Sequence, residues 1–385
     1  MADGRVRKVL YVTGTRADYG LMNQTLDAIE SSPSLALEVV AGGMHLMPEF
    51  GMTVDEVRAG HANVHVIDAV YSTDDRESAA LFTGTFIQGL THVIKETHAD
   101  IVLLLGDRAE MLAGAVAATY LSVPIAHVHG GDVSSTVDDH VRHAITKLAH
   151  VHFPATKKSA GRVRKMGEEA WRIHCVGSPA IDGILNERRI GPNEIAHLYQ
   201  LDLSKPIILV VQHPVSAEVD DAPLQMAATL DAIAQLQQQT IVIYPNADAG
   251  GRAMIRVLER YRSHAFMQAY ETVPRAHYLG LMNVASVLVG NSSSGVIESP
   301  LFHLPVVNIG TRQRGRECAG NIINVDYDRS QIITAIKTAI EDSTFKELAS
   351  RSKNPYGDGK ASARIVNALI ELRIDARLLQ KHMTY

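Results

Sequence analysis

Short apolar runs recur along the chain, and glycine or polar residues follow each of them at once. Val9–Thr13, Ile101–Leu105 and Ile207–Val211 are three such runs. Strands that are apolar throughout are typical of parallel sheets covered by helices on both faces. Amphipathic helical patterns lie between the runs. The sequence therefore predicts an α/β fold in which the strand ends carry the polar side chains.

The stretch from His127 to His150 gathers two histidines and three aspartates around one strand end. It follows the apolar run Pro124-Ile125-Ala126, turns at two glycines, and continues into a helix with an apolar face. The chemically active side chains of this stretch are His127, His129, Asp132, Asp138 and Asp139. Ligands and catalytic groups gather at such strand ends in open α/β sheets. We therefore expect a functional site here.

A structural explanation stays open for each of these residues taken singly. Thr136–Asp139 has the form of a capping box, in which Asp139 would only complete the start of the helix. His143 and Lys147 have the spacing of a solvated i, i+4 pair. Because a helix cap needs only one or two of these groups, the whole constellation favours a site.

Composition narrows the class of protein. The chain has 385 residues, of which 46% are hydrophobic and 21% charged, as expected for a globular protein of two domains. A net charge of −5 argues against nucleic acid or a membrane surface as a partner. No apolar run reaches the roughly 20 residues that span a bilayer. Two cysteines, Cys175 and Cys318, and a charged start at Met1–Lys8 predict a cytoplasmic protein without a disulfide framework.

The same alternation of strands and helices occurs in both halves of the chain. We predict an N-terminal Rossmann-like domain over 1–185, a C-terminal one over 186–365, and a final helix over 366–385 that packs back on the first domain. Two such halves facing each other across a cleft are the expected architecture.

Polar clusters follow further strands in each half. Arg16 lies in the turn Gly14–Gly20, and His45 follows the second strand. Asp107 and Arg108 follow the run Ile101–Leu105. A surface salt bridge between them would contribute little, so their position between a strand and a helix favours a role in a site.

The segment Asn291–Gly295 predicts a phosphate site. It consists of asparagine, three serines and glycine, directly before a helix that contains Glu298. Small residues let backbone N–H groups approach an anion, and serine hydroxyls add donors. Arg312 and Arg16 would add charged donors. A serine-rich helix cap is the alternative, and the absence of a Walker lysine excludes a P-loop.

These motifs together resemble those of the hydrolysing UDP-N-acetylglucosamine 2-epimerases, over nearly the whole chain. The segments that carry the resemblance are GTRADYG (14–20), GDR (106–108), HVHGGD (127–132), STVDD (135–139), RHAITKLAH (142–150), QHP (212–214), PNADAG (245–250), GNSSSGVIE (290–298) and GTRQRGRE (310–317). This family opens sialic-acid-type sugar pathways and has a fold of two Rossmann-like domains like that of the GT-B glycosyltransferases. The resemblance implies a UDP-sugar substrate, no metal, no cofactor, and a homodimer or homotetramer.

The resemblance also assigns residues. It implies that the pyrophosphate is held by Arg16, Ser292, Ser293 and Arg312, the ribose by Glu298, and uracil by the backbone at Val273 and the ring of Tyr278. Further binding residues in the matching segments are Asp18, Arg108, Asn246, Asp248, Ser294 and Gly295. His45, which follows the second strand, is a further candidate. We expect Met44 and Ser134-Ser135 near the sugar as well. The acid–base groups would be Asp107, Asp132, Asp138, Asp139, His213 and His129.

One departure leaves the base at C2 open. Some relatives have glutamate where this chain has His129, and others follow the two glycines with glutamate where it has Asp132. The implied reaction removes the C2 proton, expels UDP to leave a 2-acetamidoglycal, and adds water with inversion at C2. The implied product is N-acetylmannosamine. Alternative substrates are UDP-2,4-diacetamido-2,4,6-trideoxyglucose and GDP-linked sugars, as in legionaminic acid synthesis.

Three other classes fit parts of the pattern. A GT-B glycosyltransferase would share the nucleotide site but need an acceptor. A metal hydrolase is suggested by His127, His129 and Asp132, which imitate a triad of two histidines and a carboxylate. A catalytically inactive sensor would bind a UDP-sugar without turning it over.

Overall fold

The computed structural model describes residues 6–73, 75–133, 137–186, 190–246 and 248–385, with only the backbone described at Val137 and Ser216. Within these residues the strands form two six-stranded sheets that are parallel throughout. The first sheet contains β1 (Arg7–Thr13), β2 (Leu35–Ala41), β3 (Val64–Val66), β4 (Ile101–Leu105), β5 (Ile125–Val128) and β6 (Val151–Phe153). The second contains β7 (Ile207–Val211), β8 (Gln239–Ile243), β9 (Met267–Tyr270), β10 (Val287–Gly290), β11 (Val306–Ile309) and β12 (Ile322–Val325).

Helices connect the strands in both sheets. Those between the strands of the first sheet and directly after it are α1 (Arg16–Glu30), α2 (Val54–Gly60), α3 (Arg76–Thr97), α4 (Ala109–Tyr120), α5 (Val137–Leu148), α6 (Lys157–Lys165) and α7 (Pro179–Asn186). Those of the second are α8 (Pro192–Leu198), α9 (Ala222–Leu236), α10 (Gly251–Leu258), α11 (Arg275–Val284), α12 (Ser294–Ile297), α13 (Arg329–Glu341) and α14 (Ser343–Ser350). The chain continues with α15 (Ala361–Glu371) and α16 (Ala376–Leu379). No helix in the described part of the chain is long and apolar enough to cross a membrane.

Both sheets have the same strand order. It is β3-β2-β1-β4-β5-β6 in the first and β9-β8-β7-β10-β11-β12 in the second. This is the order of the dinucleotide-binding fold, in which the connections reverse direction between the first and the fourth strand. The predicted α/β fold with two Rossmann-like halves is confirmed.

The first sheet is buried on both faces because alternate strand residues enter different cores. Val9 and Tyr11 of β1 pack with α1 and α15, whereas Leu10 and Val12 pack with α3 and α4. The residues of β4 are all buried. The apolar runs in the sequence therefore reflect strands with helices on either side.

The chain divides into two compact units. The first unit runs to Asp132, continues over Asp138–Asn186, and resumes with Tyr356–Tyr385; the second reaches Pro355. We call Tyr356–Tyr385 the return segment. The segment 366–385, which was predicted to pack back on the first domain, lies inside it. The prediction of a single helix over 366–385 is wrong. Helix α15 ends at Glu371, and the separate short helix α16 follows it. Asp375 caps α16 by accepting a hydrogen bond from the Leu378 N–H.

Candidate active site

The point where the connections reverse direction lies between two strands whose following loops carry the predicted site residues. In the first sheet these strands are β1 and β4, followed by Arg16 and Asp107. In the second they are β7 and β10, followed by His213 and Ser292. A crevice opens at such a point beyond the carboxyl ends of the strands. Each unit therefore places predicted residues where its own fold forms a binding crevice.

In the first unit, Arg142 joins the predicted carboxylates. Its guanidinium is almost fully buried and donates to Asp107, to Asp139 Oδ1 at 2.5 Å, and to the backbone carbonyl of Asp132 at 2.9 Å. Burial alone would lower the pKa of Arg142, but the carboxylates of Asp107, Asp132 and Asp139 outweigh burial and raise it. The result is a compact, mixed-charge cluster at the start of α5.

The carboxylate of Asp132 is buried, and its two oxygens differ. Oδ1 accepts a hydrogen bond from the Ser159 hydroxyl at 2.6 Å, whereas Oδ2 has no hydrogen-bond partner among the described residues. A buried carboxylate oxygen without a donor is costly unless a ligand uses it. Asp132 is therefore well suited to take or give a proton on a bound substrate.

His129 lies beside this cluster in the chain, in an uncommon backbone conformation. Its φ is +63°, its side chain is buried, and its Nε2 lies 3.0 Å from the Ser178 hydroxyl. Residues other than glycine with positive φ cluster at functional sites, because the surrounding structure must hold them there. Asp138 lies half-buried in the first turn of α5. The predicted residues Ser134-Ser135 and the predicted cap Thr136 lie outside the described residues.

The turn after β1 is held by Asp18. Its carboxylate accepts from the hydroxyl of Thr13, from the backbone N–H groups of Gly14 and Thr15 at 3.2 and 2.9 Å, and from the Thr15 hydroxyl. Thr15 in turn caps α1 and completes a capping box with Asp18. Arg16 follows directly and forms an ion pair with Glu56 at 2.7 Å. The carboxylate of Asp18 thus orders the loop that presents Arg16.

His45 supports the same turn from the neighbouring strand β2. Its ring is fully buried, with Nε2 3.0 Å from the Thr13 hydroxyl and Nδ1 2.8 Å from the Thr53 hydroxyl. Burial, which disfavours the charged form, lowers the pKa of His45 to about 4. A neutral imidazole therefore holds the hydroxyl of Thr13, which in turn donates to Asp18.

Arg108 is paired with a buried carboxylate that the sequence did not single out. Arg108 Nε lies 3.3 Å from Glu110 Oε2, and the Tyr71 hydroxyl donates to Oε1 at 3.3 Å. The Glu110 side chain packs directly on Gly14, where a Cβ atom would lie 2.2 Å from Oε1. Glycine at 14 is therefore required for the close packing of this carboxylate against the first turn.

In the second unit, an amide side chain joins the two central strand ends. Asn291 Oδ1 accepts from the His213 backbone N–H at 2.7 Å, and its Nδ2 donates to the His213 carbonyl at 2.8 Å. The His213 ring accepts a hydrogen bond at Nδ1 from the Asn246 backbone N–H at 3.1 Å. Nδ1 therefore carries no proton in the neutral ring, and Nε2 is left as the N–H side.

The serine loop after β10 is compact and follows a close approach of two backbones. A Cβ at Gly290, whose φ is +131°, would lie 2.2 Å from the Val211 carbonyl. Within the loop the Ser292 and Ser294 hydroxyls are 2.9 Å apart. Helix α12 has only four residues, so its dipole is weaker than the sequence suggested. Backbone N–H groups and hydroxyls are the main anion donors here.

Arg312 lies beside this loop. Its Nη1 donates to the Asn291 carbonyl at 3.3 Å, and Gln313 Nε2 donates to the same oxygen at 2.8 Å. Ser292 and Ser293 are half-buried, as is Arg312. The structure thus brings together the three residues that were predicted to hold the pyrophosphate in this unit.

Glu298, the predicted ribose ligand, is buried and paired with Arg275. The Arg275 Nη1 to Glu298 Oε2 distance is 2.9 Å, and Arg275 Nε and Nη2 have no hydrogen-bond partner among the described residues. Tyr278, five positions after the buried Val273 and in the same hydrophobic cluster, shares a hydrogen bond with the Ser294 hydroxyl. Burial raises the pKa of Tyr278, so its phenol stays neutral.

The other predicted binding residues of this unit fall on the same edge of the sheet. Asn246 donates from its side chain to Asp248 at 2.5 Å in the loop after β8, and Gly295 is buried in α12. Ala247, between Asn246 and Asp248 in the quoted segment, lies outside the described residues.

Three residues of the site were not predicted as functional. Arg142 was detectable in principle, because it follows Asp139 by three residues on one helix. Glu110 lies in the first turn of α4, whereas Asn291 belongs to the predicted phosphate segment and only its hydrogen bonds with His213 were not predicted. Arg275 offered no signal, since 23 residues separate it from Glu298.

His127, His129 and Asp132, whose pattern in the sequence suggests a metal-binding triad, do not form a cluster of metal ligands. Both ring nitrogens of His127 are engaged, Nε2 with the Gly106 carbonyl at 2.7 Å and Nδ1 with the Thr146 hydroxyl at 3.2 Å. In the described ranges no three histidine, cysteine, aspartate or glutamate side chains are grouped to hold a metal ion. His127 instead connects the end of β4 to α5.

The chain is similar in sequence to known proteins over most of its length. A family model described as UDP-N-acetylglucosamine 2-epimerase matches residues 27–370. A Legionella pneumophila protein described as a hydrolysing UDP-N,N'-diacetylbacillosamine 2-epimerase is 38% identical over 99% of this chain and 100% of its own. A UDP-N-acetylglucosamine 2-epimerase of Neisseria meningitidis is 34% identical over 89% of each chain.

A solved structure has the same fold. The crystal structure of UDP-GlcNAc 2-epimerase from Neisseria meningitidis bound to UDP-GlcNAc superposes with a TM-score of 0.82 and covers 95% of this chain and 100% of its own. Its sequence identity to this chain in that superposition is 19%, so this likeness concerns the fold alone.

Proposed function

The chain belongs to the UDP-N-acetylglucosamine 2-epimerase family, and from this premise we propose that it is a hydrolysing 2-epimerase of a UDP-linked 2-acetamido sugar. The products would be UDP and the free sugar inverted at C2. The observation that carries the proposal is the cluster of Asp107, Asp132 and Asp139 around the buried Arg142.

This cluster supplies the proton chemistry of the reaction. One group takes the C2 proton, the bond between C1 and the leaving oxygen breaks, and UDP departs with the electron pair. Water then gives its hydroxyl to C1 of the 2-acetamidoglycal, and a proton is delivered to C2 from the opposite face. At least one base and one acid are needed. Asp132, with an unpartnered buried oxygen, and Asp107 are the first candidates, with Asp138, His129 and His213 as further ones.

The second unit supplies the nucleotide site. Ser292, Ser293 and Arg312 would hold the diphosphate, and Glu298, fixed by Arg275, would accept from the ribose hydroxyls. Charge develops on the leaving diphosphate, where fixed cationic donors are most effective. We expect Arg312 and Arg16 to serve in place of a divalent ion.

The sugar is proposed as N-acetylglucosamine, which gives N-acetylmannosamine. UDP-N,N'-diacetylbacillosamine is the second candidate, because the relative that is 38% identical over nearly the full chain carries that description. We expect a cytoplasmic homodimer or homotetramer, which light scattering in solution tests.

The test is to incubate the purified protein with each sugar nucleotide in deuterium oxide, with and without a chelator. We expect UDP release without any acceptor and one solvent deuterium at C2 of the product, unaffected by the chelator. Retention of the original C2 hydrogen would rule out the elimination. Release that requires an acceptor would identify a glycosyltransferase, and binding without turnover would identify a sensor.

A further inference from the structure

Helix α5 carries the proposed acid–base groups in its first half and ends at Leu148. The last carbonyls of a helix have no partner within the helix, and they form the negative end of its dipole. In this protein a side chain from the return segment reaches them. Lys381 Nζ donates to the carbonyls of Lys147 at 2.7 Å and Ala149 at 2.6 Å. A residue more than 230 positions along the chain therefore caps the helix.

The ammonium group of Lys381 is held in place by a buried carboxylate. Glu168 is 1% exposed, and its Oε2 lies 2.8 Å from Lys381 Nζ and 3.1 Å from His152 Nε2. Its Oε1 lies 2.7 Å from Lys147 Nζ, in the last turn of α5. Despite its burial, these donors lower the pKa of Glu168 to about 2, so it is ionised at neutral pH. Two lysines and one carboxylate thus tie the end of α5 to the return segment.

A second buried cation fixes the segment on which Lys381 lies. Arg172 is 1% exposed and donates to the carbonyls of Arg377 and Leu378, both at 2.8 Å, and to that of His150 at 3.2 Å. His150 directly follows the carbonyls that Lys381 caps. The return segment therefore approaches the end of α5 in one defined position.

Helix α5 connects these contacts at its end with the carboxylate cluster at its start. An α-helix is stiff along its axis and rises about 1.5 Å per residue, so a shift of its last turn also shifts its first turn. His127 links Thr146 of α5 to the Gly106 carbonyl, directly before Asp107. Arg142 then links α5 to Asp107 itself.

We propose that Lys381 is a positioning residue, which sets the place of α5 and thereby the geometry of Asp139 and Arg142 against Asp107. This inference rests on the proposed function for its catalytic consequence. It differs from simple anchoring of a chain end, because anchoring alone would affect stability without separating turnover from nucleotide binding.

The test compares three variants in the full-length protein. Lys381→Met removes the charge and keeps most of the stem, Lys381→Arg keeps the charge, and Lys337→Ala removes an exposed lysine of α13 as a control. Misplacement of catalytic groups by about 1 Å can cost roughly 100-fold in rate. We expect Lys381→Met to lower kcat by about tenfold or more, with KM and the Kd of UDP within about twofold, and Lys381→Arg to recover most of the loss.

Hydrogen–deuterium exchange gives a readout independent of turnover. We expect faster exchange of the α5 amides in Lys381→Met and wild-type exchange in Lys337→Ala. A wild-type kcat, an equal loss of UDP affinity, or unchanged α5 exchange in Lys381→Met would each overturn the inference. If Lys381→Met does not fold, Lys381→Gln is measured by the same criteria. If the wild type turns over neither sugar nucleotide, the proposed function fails, while exchange still decides whether Lys381 holds α5.

Discussion

Arg142 is the residue on which the arrangement of the proposed acid–base groups depends. Its guanidinium forms two charged hydrogen bonds and one to a backbone carbonyl in a buried position. A buried charge is tolerated only when such partners surround it. The planar fork of arginine serves three acceptors at fixed angles, which the compact ammonium of lysine does not reproduce.

We expect Arg142→Lys to lower kcat by about 100-fold or more, because Asp107 and Asp139 lose their common partner. The Kd of UDP should stay within about threefold, since the predicted nucleotide ligands other than Arg16 belong to the second unit. Steady-state kinetics and calorimetry measure the two quantities. Arg351→Lys, at a largely exposed arginine directly after α14, is the control. A normal kcat would separate Arg142 from the chemistry.

The buried imidazole of His45 makes the free energy of unfolding depend on pH. Its pKa is about 4 in the folded protein against a reference value of 6.5, so the unfolded chain binds more protons between these values. The free energy of unfolding therefore falls as the pH drops from 6.5 to 4, by up to about 3 kcal/mol from this residue. Burial also lowers the pKa of His127, to about 3, which adds to the loss in the same direction.

Urea unfolding at pH 7 and pH 4.5 tests this expectation. The single tryptophan, Trp171, lies in the first unit with His45, so its fluorescence reports on the relevant unit. His45→Gln should weaken the pH dependence, and His197→Gln, at an exposed position, should leave it unchanged. An undiminished dependence in His45→Gln would exclude the buried imidazole as its source.

At the scale of elements, strand ends and the loops after them form the site. The serine loop follows β10, Arg312 follows β11, and Asn291 joins the loop to the end of β7. Helix α12 is short, so its dipole is weak. The charge of Arg312 therefore contributes more to anion binding at the serine loop than it would beside a long helix.

We expect Arg312→Ala to weaken UDP binding by about 1–3 kcal/mol, which corresponds to roughly 5- to 150-fold in Kd. Calorimetric titration of UDP measures the change. Arg351→Ala removes an exposed arginine of the same unit and should bind UDP normally. Equal affinities in the two variants would remove Arg312 from the diphosphate site.

Several strands, and the polar loops after them, could be predicted from the sequence, because strands that are buried on both faces are apolar throughout. The runs at β4 and β7 were predicted with their observed bounds, and the polar residues after them followed. The partners were not predictable in the same way. Arg275 meets Glu298, and Lys381 meets α5, only through tertiary packing, which leaves no periodic signal. The break between α15 and α16 was missed because Asp375 was not weighed as a helix start.

At the scale of the whole molecule, the two units have the same strand order but contribute different residues to the proposed reaction. The first contains Asp107 and the Arg142 cluster, and the second contains His213 and the serine loop. Asp107 and His213 each follow the carboxyl end of a central strand. We propose that each takes part in the proton transfers of the reaction.

The double substitution tests this division. Asp107→Asn and His213→Asn should each lower kcat by about 10²–10⁴-fold, the usual contribution of a general acid or base. The double variant should lose less than the product, because groups that act on one transition state are not independent. Circular dichroism checks that each variant is folded. A near-normal kcat with a raised KM in either single variant would make that residue a substrate ligand only.

The path of the chain between the units has a consequence for synthesis on the ribosome. The second unit is an insertion into the first, whose hydrophobic core is completed only by helices α15 and α16 of the return segment. Domains generally fold as units as they emerge during translation. The second unit can therefore fold first, while the core of the first unit still lacks α15 and α16. Nascent chains that stall before α15 would contain a complete second unit and an incomplete first unit, and would therefore be exposed to quality control.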